Sequence, residues 1–516
     1  MQSVSNEWIV ANSQNFLPLS DVKIEYRVEN IDCKTYFSQM LQSWGTFLFR
    51  YTPQVITDTI YNNFIILDYG SFVLDGSCVP YDSNTNVGWI LSPDSSSYGI
   101  VNISFSQTIT STLESMTFKW GETNGLAPGT VEVEWFDGVT SLGSVTYNRS
   151  DGEVISNITL NATSFNKISF TMRKPRPNTA CYLEQIIFGD IMEFGKKDII
   201  KVVQKDAIDP NNLSLPVHSM SFELDNTDER FNPDNPTGIY SYLQEGQEIK
   251  LKYGLWINGT FEYIKGGTYF LTSWNVPNNG ISATFEANSI IEQLKINYTA
   301  SSSTAREHRY ILGDILYSTI REWFDIDDSL LTNEGYCAIY SDRVTRAEIL
   351  QYICNADRIK LYIDRDGYVH IDELFDGNLS NLTQESYTIG TNVSYNYGDY
   401  ELIRPLKEVI MTYATDLSNT DVKETTTVAS TGVSQTLENL LISTQQNASD
   451  VNNQVKNVLI NKKRISGSFR PDIRLDVWDK IYVTNKYATN LSVLITELEI
   501  TYNGAFSGTY KGIIEE

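Results

Sequence analysis

The chain has 516 residues, a formal net charge of −25, and 41% hydrophobic and 12% aromatic residues. That length exceeds one ordinary core, so several domains are expected, and the apolar content excludes a chain that stays unfolded. The charge opposes nonspecific binding to nucleic-acid phosphates, and no apolar run approaches the roughly 18 residues a membrane-crossing helix needs. The first residues, MQSVSNEWIVANSQ, lack the basic-then-apolar layout of a signal peptide. The 31 tyrosines and 31 glycines suit a β-rich protein with many turns. Cys33, Cys78, Cys181, Cys337 and Cys354 are scattered, odd in number and without a CxxC pair, so neither a zinc site nor a disulfide framework is expected.

In chain order, residues 22–28 alternate polar and apolar and read as one strand. From about residue 51 to 189 the texture changes to short strands between Ser/Thr/Asn/Gly turns. Residues 100–105, 116–120, 131–136, 154–160 and 168–172 are the strand candidates, at the spacing of a β-sandwich or jelly roll. A strand beginning at Ile199 fits the first strand better than this block, so residues 45–190 read as an insertion. In residues 215–254, Met220, Phe222 and Leu224 alternate with Ser219, Ser221 and Glu223. Asp225-Asn226 stops that strand, Asn232-Pro233-Asp234-Asn235-Pro236 forms a turn cluster, and Ile249, Leu251 and Tyr253 restart the alternation. Strands follow at 267–274 and 281–287, then a closing segment at 289–294 and a polar linker at 301–307.

Ile311, Ile315, Leu316 and Ile320 follow helical spacing. Thr345 with Glu348 predicts a capping box for a second helix. A hairpin is expected from residues 360–364 and 368–371 around Arg365-Asp366-Gly367. Residues 408–413 read as a strand, 416–453 as a polar stretch, 451–460 as a weak helix, and 479–484 and 492–502 as strands before an Asn503-Gly504 turn.

Chemistry-bearing motifs are scarce. His218, His308 and His370 are far apart, and His218 is expected opposite the apolar face of its strand or on a loop edge. No HExxH, GxSxG, P-loop or dinucleotide fingerprint occurs. Asp225, Asp228 and Glu229 form one acidic group and Asp325, Asp327 and Asp328 another; side-chain turns and caps explain both, although a carboxylate pair is all that a glycosidase requires. Asp364-Arg365-Asp366-Gly367 lacks the spacing and closing Glu of an EF-hand loop, so the hairpin reading stands. No enzyme activity, cofactor or metal is expected. Trp89 and Tyr98 lie in or beside a polar Ser/Asp loop and are the candidate carbohydrate-binding residues, a ring face for the sugar and polar groups for its hydroxyls. Packing in a core or interface is the alternative for Trp89. Trp120 lies in a strand, and Trp135 shares the Val131 and Val133 face and is expected in the core.

The arrangement LDN…FNP…P.GI…YL..GQ.I…YG across residues 224–254 resembles the first barrel of hub proteins in bacteriophage tails and related contractile particles. The pattern LDVWDKIYV…VLITELEITYNGAFSG near the end resembles their second barrel, and the helix-plus-hairpin region their small α/β domain. Phe72 to Ser77, Gly88-Trp89, Ser92, Ser95 to Gly99 and Leu183 to Gly189 resemble lectin-like, carbohydrate-binding modules embedded in some tail hubs. Related modules carry two aromatics after the glycine; here Ile90 follows Trp89.

The resemblance implies a mainly β fold with a small α/β part. Residues 1–44 and 191–300 would form a discontinuous first tail-tube-like barrel, 45–190 an inserted jelly roll, 301–400 a small α/β domain and 401–516 a second barrel. It further implies a virion structural protein at the tail tip or baseplate, assembled in the host cytoplasm. A homotrimeric ring would join the hexameric tail tube to distal baseplate proteins and a tip spike or fibre. DNA would pass through the lumen during genome ejection, past acidic walls to which it does not stick, and the insert could contact host cell-wall polysaccharide. The rivals are a receptor-binding, carbohydrate-binding adhesin serving host attachment and a cell-wall hydrolase.

Overall fold

The structure, a computed structural model, describes the chain apart from residues 1, 3, 13–18, 43–88, 92–96, 121–127, 151–152, 154, 174–180, 236–237, 278–279, 317, 322, 375–376, 390–398, 402–404, 461, 485–489 and 516. It is mainly β and divides into two units. One comprises Met1–Glu25, Glu193–Tyr240 and Glu248–Glu516; the other comprises Tyr26–Met192 and Ser241–Gln247. The chain passes between them inside the strand Ser20–Glu29 and returns inside Gly189–Phe194.

One long sheet runs in the order Gly189–Phe194, Ser20–Glu29, Glu248–Ile257, Thr260–Asn275, Ser282–Asn288, Val217–Asp225, Ile199–Ala207, Leu491–Tyr502, Phe506–Glu515, Lys462–Phe469, Asp399–Glu401. Local sequence explains the strands. In Val217–Asp225 every second side chain is buried, and Phe222 stacks on Phe285 of the neighbouring strand at 4.9 Å. His218 falls on that same buried face with Met220, Phe222 and Leu224, not opposite it. The cause is its neighbourhood: Asp206 stands directly across the ladder and bonds Nδ1, and Tyr269 stacks on the imidazole.

The turn after this strand is built by Asx side chains. Asp225 Oδ1 accepts from the Thr227 N–H, Asn226 Oδ1 from Phe231 N–H and Asn232 Oδ1 from Asp234 N–H, all within 2.9–3.0 Å. Phe231 is thereby folded back, edge-on to Phe285. Strands from the two ends of the chain join through Ile199–Ala207 and Leu491–Tyr502, antiparallel from Val202 opposite Tyr502 to Ala207 opposite Glu497. The closing segment takes the form of a 3₁₀ turn, Ile290–Leu294.

The helix Arg346–Asp357 begins at the expected capping box: Thr345 and Glu348 exchange side-chain-to-backbone bonds. The hairpin Ile359–Ile363 with Val369–Glu373 follows, its Asp364 Oδ1 accepting from both Asp366 and Tyr368 N–H. Gly367, at φ +92, occupies the left-handed position the turn requires. Phe324–Ile326 adds a third, parallel strand.

The polar stretch 416–453 is more ordered than its composition suggests. Val422–Thr427 and Val433–Glu438 flank Leu406–Tyr413 in a three-stranded sheet, and the helix Gln445–Leu459 packs Ala448, Val451 and Val455 against Val409, Met411 and Tyr413. Threonine suits a strand with one wet face, which a search for apolar residues alone passes over. The helix starts well before residue 451 because Thr444 caps it, accepting from Asn447 N–H.

The smaller unit is a sandwich of two antiparallel sheets. One has the order Phe37–Gln42, Ser97–Ile109, Phe165–Arg173, Thr130–Asp137, Thr140–Asn148; the other Trp89–Leu91, Cys181–Ile187, Leu113–Trp120, Ile155–Ala162. From Ser97–Ile109 onward the chain switches sheets at each connection except the Thr130–Asp137 to Thr140–Asn148 hairpin, the crossing pattern of a jelly roll. Ile103, Val133 and Phe170 of the first sheet meet Phe118, Trp120 and Ile158 of the second in one core.

Candidate functional site

Trp89 opens the short strand Trp89–Leu91 and pairs with Leu183 at the edge of the four-stranded sheet. Tyr98 is the second residue of Ser97–Ile109 in the five-stranded sheet. Both candidates therefore sit at strand ends in different sheets, on either side of residues 92–96. Those residues, the Phe72 to Ser77 segment and Gly88 lie outside the described residues. Two other tryptophans are committed elsewhere. Trp120 is fully buried, stacks on Phe118 and donates its Nε1–H to Ser156 Oγ at 3.0 Å. Trp135 packs in the core across Gly143, where any Cβ would run into the indole.

All three histidines are held by aspartates. His218 Nδ1 lies 2.5 Å from Asp206 Oδ1; Gln204 Nε2 donates to Asp206 Oδ2 at 2.6 Å, and the Tyr253 hydroxyl donates to Gln204 Oε1 at 2.6 Å. Burial pushes the Tyr253 and Tyr269 phenols far above their ordinary values, so both stay neutral. His308, with no exposed surface, sits 2.5 Å from Asp357 Oδ2, while Asp357 Oδ1 accepts from Asn333 N and Nδ2. His370 lies 2.9 Å from Asp364 and 3.3 Å from Asp325. These are pins between chain segments: His308 and His218 are closed to a substrate. Cys33 and Cys354 are buried with raised pKa values, the opposite of an activated thiolate. Among the described residues no group of three His, Cys, Asp or Glu side chains is placed to hold a metal ion.

The acidic groups act locally. Asp228 closes a turn onto Arg230, and Asp327 caps the 3₁₀ turn Asp328–Leu330 by accepting from Ser329 N–H. Hydrogen bonds from Ser329 hold the Asp327 carboxyl below its ordinary pKa.

Sequence reasoning treated Arg365 as one residue of a hairpin turn. Its guanidinium is buried and donates to the carbonyls of Lys265, Ile473 and Leu475 and to Asp476 Oδ1, at 2.5–3.0 Å. A single fork thus ties the hairpin to the strand Thr260–Asn275 and to the segment before Lys480. The one visible signal was an arginine between two aspartates in a tight turn, where a small residue would serve the turn as well.

No protein-family model and no curated protein matches the chain. Among solved structures the chain is similar to a 43 kDa tail protein of prophage MuSo2 from Shewanella oneidensis, with TM-score 0.41 and 10% identity over 63% of this chain and 95% of that one. It is also similar to a tail protein from Neisseria meningitidis MC58, with TM-score 0.42 and 10% identity over 62% of this chain and 93% of that one. A third likeness is to the Francisella PdpA-VgrG complex in its lidded form, with TM-score 0.39 and 12% identity over 78% of this chain and 53% of that one.

Proposed function

We propose that this chain is a structural hub of a phage-type tail or baseplate, without enzymatic activity. It would form a homotrimeric ring that joins a hexameric tail tube to distal baseplate proteins and a tip spike or fibre, with DNA in transit through the lumen. The observation that carries the reading is the joint order of motifs along the chain. The LDN…FNP turn, the helix-plus-hairpin and the closing YNG hairpin follow one another as in tail hubs, and each is a real strand, turn or helix here. The long sheet that joins strands from both ends of the chain supports it further, since a ring subunit must present strand edges to its neighbours. Light scattering of the purified protein, alone and with tail-tube protein, tests the assembly. About three times the 58.5 kDa chain mass is expected. A monomer that ignores the tube protein would remove the reading.

The sandwich is proposed as a host-contact module that binds a cell-wall polysaccharide weakly through Trp89 and Tyr98. Ring faces with nearby Ser and Asp side chains are the chemistry that supports it, and trimeric display would raise a weak affinity by avidity. Host-wall pulldown should fall for Trp89→Ala at unchanged melting temperature. A blank pulldown and glycan array for the intact protein would leave the sandwich a structural module.

A further inference from the structure

A cleft of about 750 Å³ opens in the larger unit between the strand Ile359–Ile363 with its turn, the strand Thr260–Asn275 and the segment before Lys480. Lys360 and Tyr362 line it from the first strand and Trp478 from the last segment. Two residues apart on one strand, Lys360 and Tyr362 share a face, and Lys360 stands opposite Asp372 across the ladder. Other charges of the wall are matched at close range. Lys265 meets Asp366 at 2.5 Å, Arg365 meets Asp476 at 2.8 Å, and Asp364 meets His370 at 2.9 Å.

Lys360 is the exception. Its Nζ lies 4.2 Å from the centre of the Tyr362 ring and 5.2 Å from that of Trp478. Asp372, the nearest carboxylate, is 4.0 Å away and more than half exposed. Among the described residues Nζ makes no hydrogen bond. Ring faces attract an ammonium, but they give its three N–H groups no lone pair. Lys480, which is more buried, shows the ordinary solution: it donates to the carbonyls of Leu379 and Leu382. The Lys360 side chain is 23% exposed, so the amine is drawn out of bulk water yet still open to the cleft. Burial, opposed by Asp372 and Asp479, holds its ammonium below the ordinary lysine pKa. A desolvated lysine of this kind supplies amine nucleophiles. The second ring is held in place at a cost, because Trp478 stands at φ +73, in the left-handed region.

We propose that Lys360 is a nucleophilic amine that captures an aldehyde from the cleft as an imine. The Nζ lone pair bonds to the carbonyl carbon and gives a carbinolamine. Both amine protons then leave with the former carbonyl oxygen as one water molecule, and a C=N bond remains. The step needs no oxidant or reductant and reverses by hydrolysis. A flat, neutral aldehyde suits the site, since its body can lie along the Tyr362 and Trp478 rings. An anion suits it less well, because Asp364, Asp366, Asp476 and Asp479 line the same cleft. The inference rests on this cleft alone and holds whichever assembly the chain joins.

Incubating the full chain with salicylaldehyde at neutral pH, trapping the imine with sodium cyanoborohydride and mapping the adducts by peptide mass tests it. Lys360 should be labelled first, ahead of the exposed Lys197 and the ion-paired Lys265. Lys360→Arg keeps a cation over the two rings but removes the amine, so the early adduct should be lost at an unchanged melting temperature. Asp372→Asn removes the nearest counter-charge while leaving an acceptor for the Tyr362 hydroxyl, and should speed labelling of Lys360. Labelling of Lys360 no faster than of Lys197, an early adduct that survives Lys360→Arg, or slower labelling in Asp372→Asn would each overturn the proposal.

Discussion

Removing the Arg365 guanidinium takes a donor from three carbonyls at once and its cation from the Asp476 carboxylate, which is 35% exposed. Breaking a buried charge pair from one side costs about 3–5 kcal/mol. Arg365→Met should lower stability to urea by less than that, since water reaches the part-exposed Asp476 carboxylate, and Arg365→Lys should recover only part of the loss, since an ammonium cannot reproduce the fork. Asp209 gives the opposite sign. Its folded-state pKa is raised by burial, so the folded chain holds this proton to higher pH than the unfolded chain does. The resulting contribution favours folding below the ordinary aspartate pKa and is lost as pH rises through the raised one. Asp209→Asn should therefore be at least as stable as the wild type at pH 7. The difference should close as pH falls through the raised value, which unfolding midpoints at neutral and acid pH will read directly.

At the scale of elements, legibility followed how local the cause was. The capping box at Thr345 and Glu348, the Asp364–Gly367 turn and the alternation of Val217–Asp225 are each written within a few residues and could be read. Thr345→Ala should cost about 1 kcal/mol in thermal or urea unfolding. Val422–Thr427 and Val433–Glu438 could not be read, because their partner strand and covering helix define them and their own side chains are mostly polar. The inward turn of His218 was hidden for the same reason: it depends on the cross-strand register that sets Asp206 opposite it and on Tyr269 from a strand farther along the chain. At the start of the strand Gly189–Phe194, Gly189 stands at φ +149, and a Cβ there would overlap the Val28 carbonyl oxygen. Gly189→Ala should accordingly reduce soluble yield and protease resistance, whereas Gly138→Ala, with open space around it, should pay only for its positive φ.

At the scale of the whole molecule, the change of texture along the chain near residues 45–190 is legible as a run of short strands, while the Arg365 clamp is not, since it gathers residues from distant segments. The candidate sugar residues were visible only as aromatic types in a polar neighbourhood; their strands belong to two sheets that no local pattern relates. The excursion into the sandwich starts and ends at one place: Asn30 N–H donates to the Phe188 carbonyl at 2.7 Å. Close ends are what a tolerated insertion needs. Joining Asn30 to Phe188 through a short Gly/Ser linker should leave a soluble chain with the melting transition of the larger unit. Insoluble product on repeated refolding would show that the sandwich is integral.

The pairing of Ile199–Ala207 with Leu491–Tyr502 also sets a timetable for synthesis. During translation the earlier strand emerges hundreds of residues before its partner, so for most of that time one side of its ladder has nothing to bond. An unpaired edge is a template for other chains, and long-range pairings close late. A ribosome halted short of Leu491 would hold a nascent chain whose long sheet stops at Ile199–Ala207. Residues 491–516, which bring both Leu491–Tyr502 and Phe506–Glu515, are the stitch that joins that edge to Lys462–Phe469.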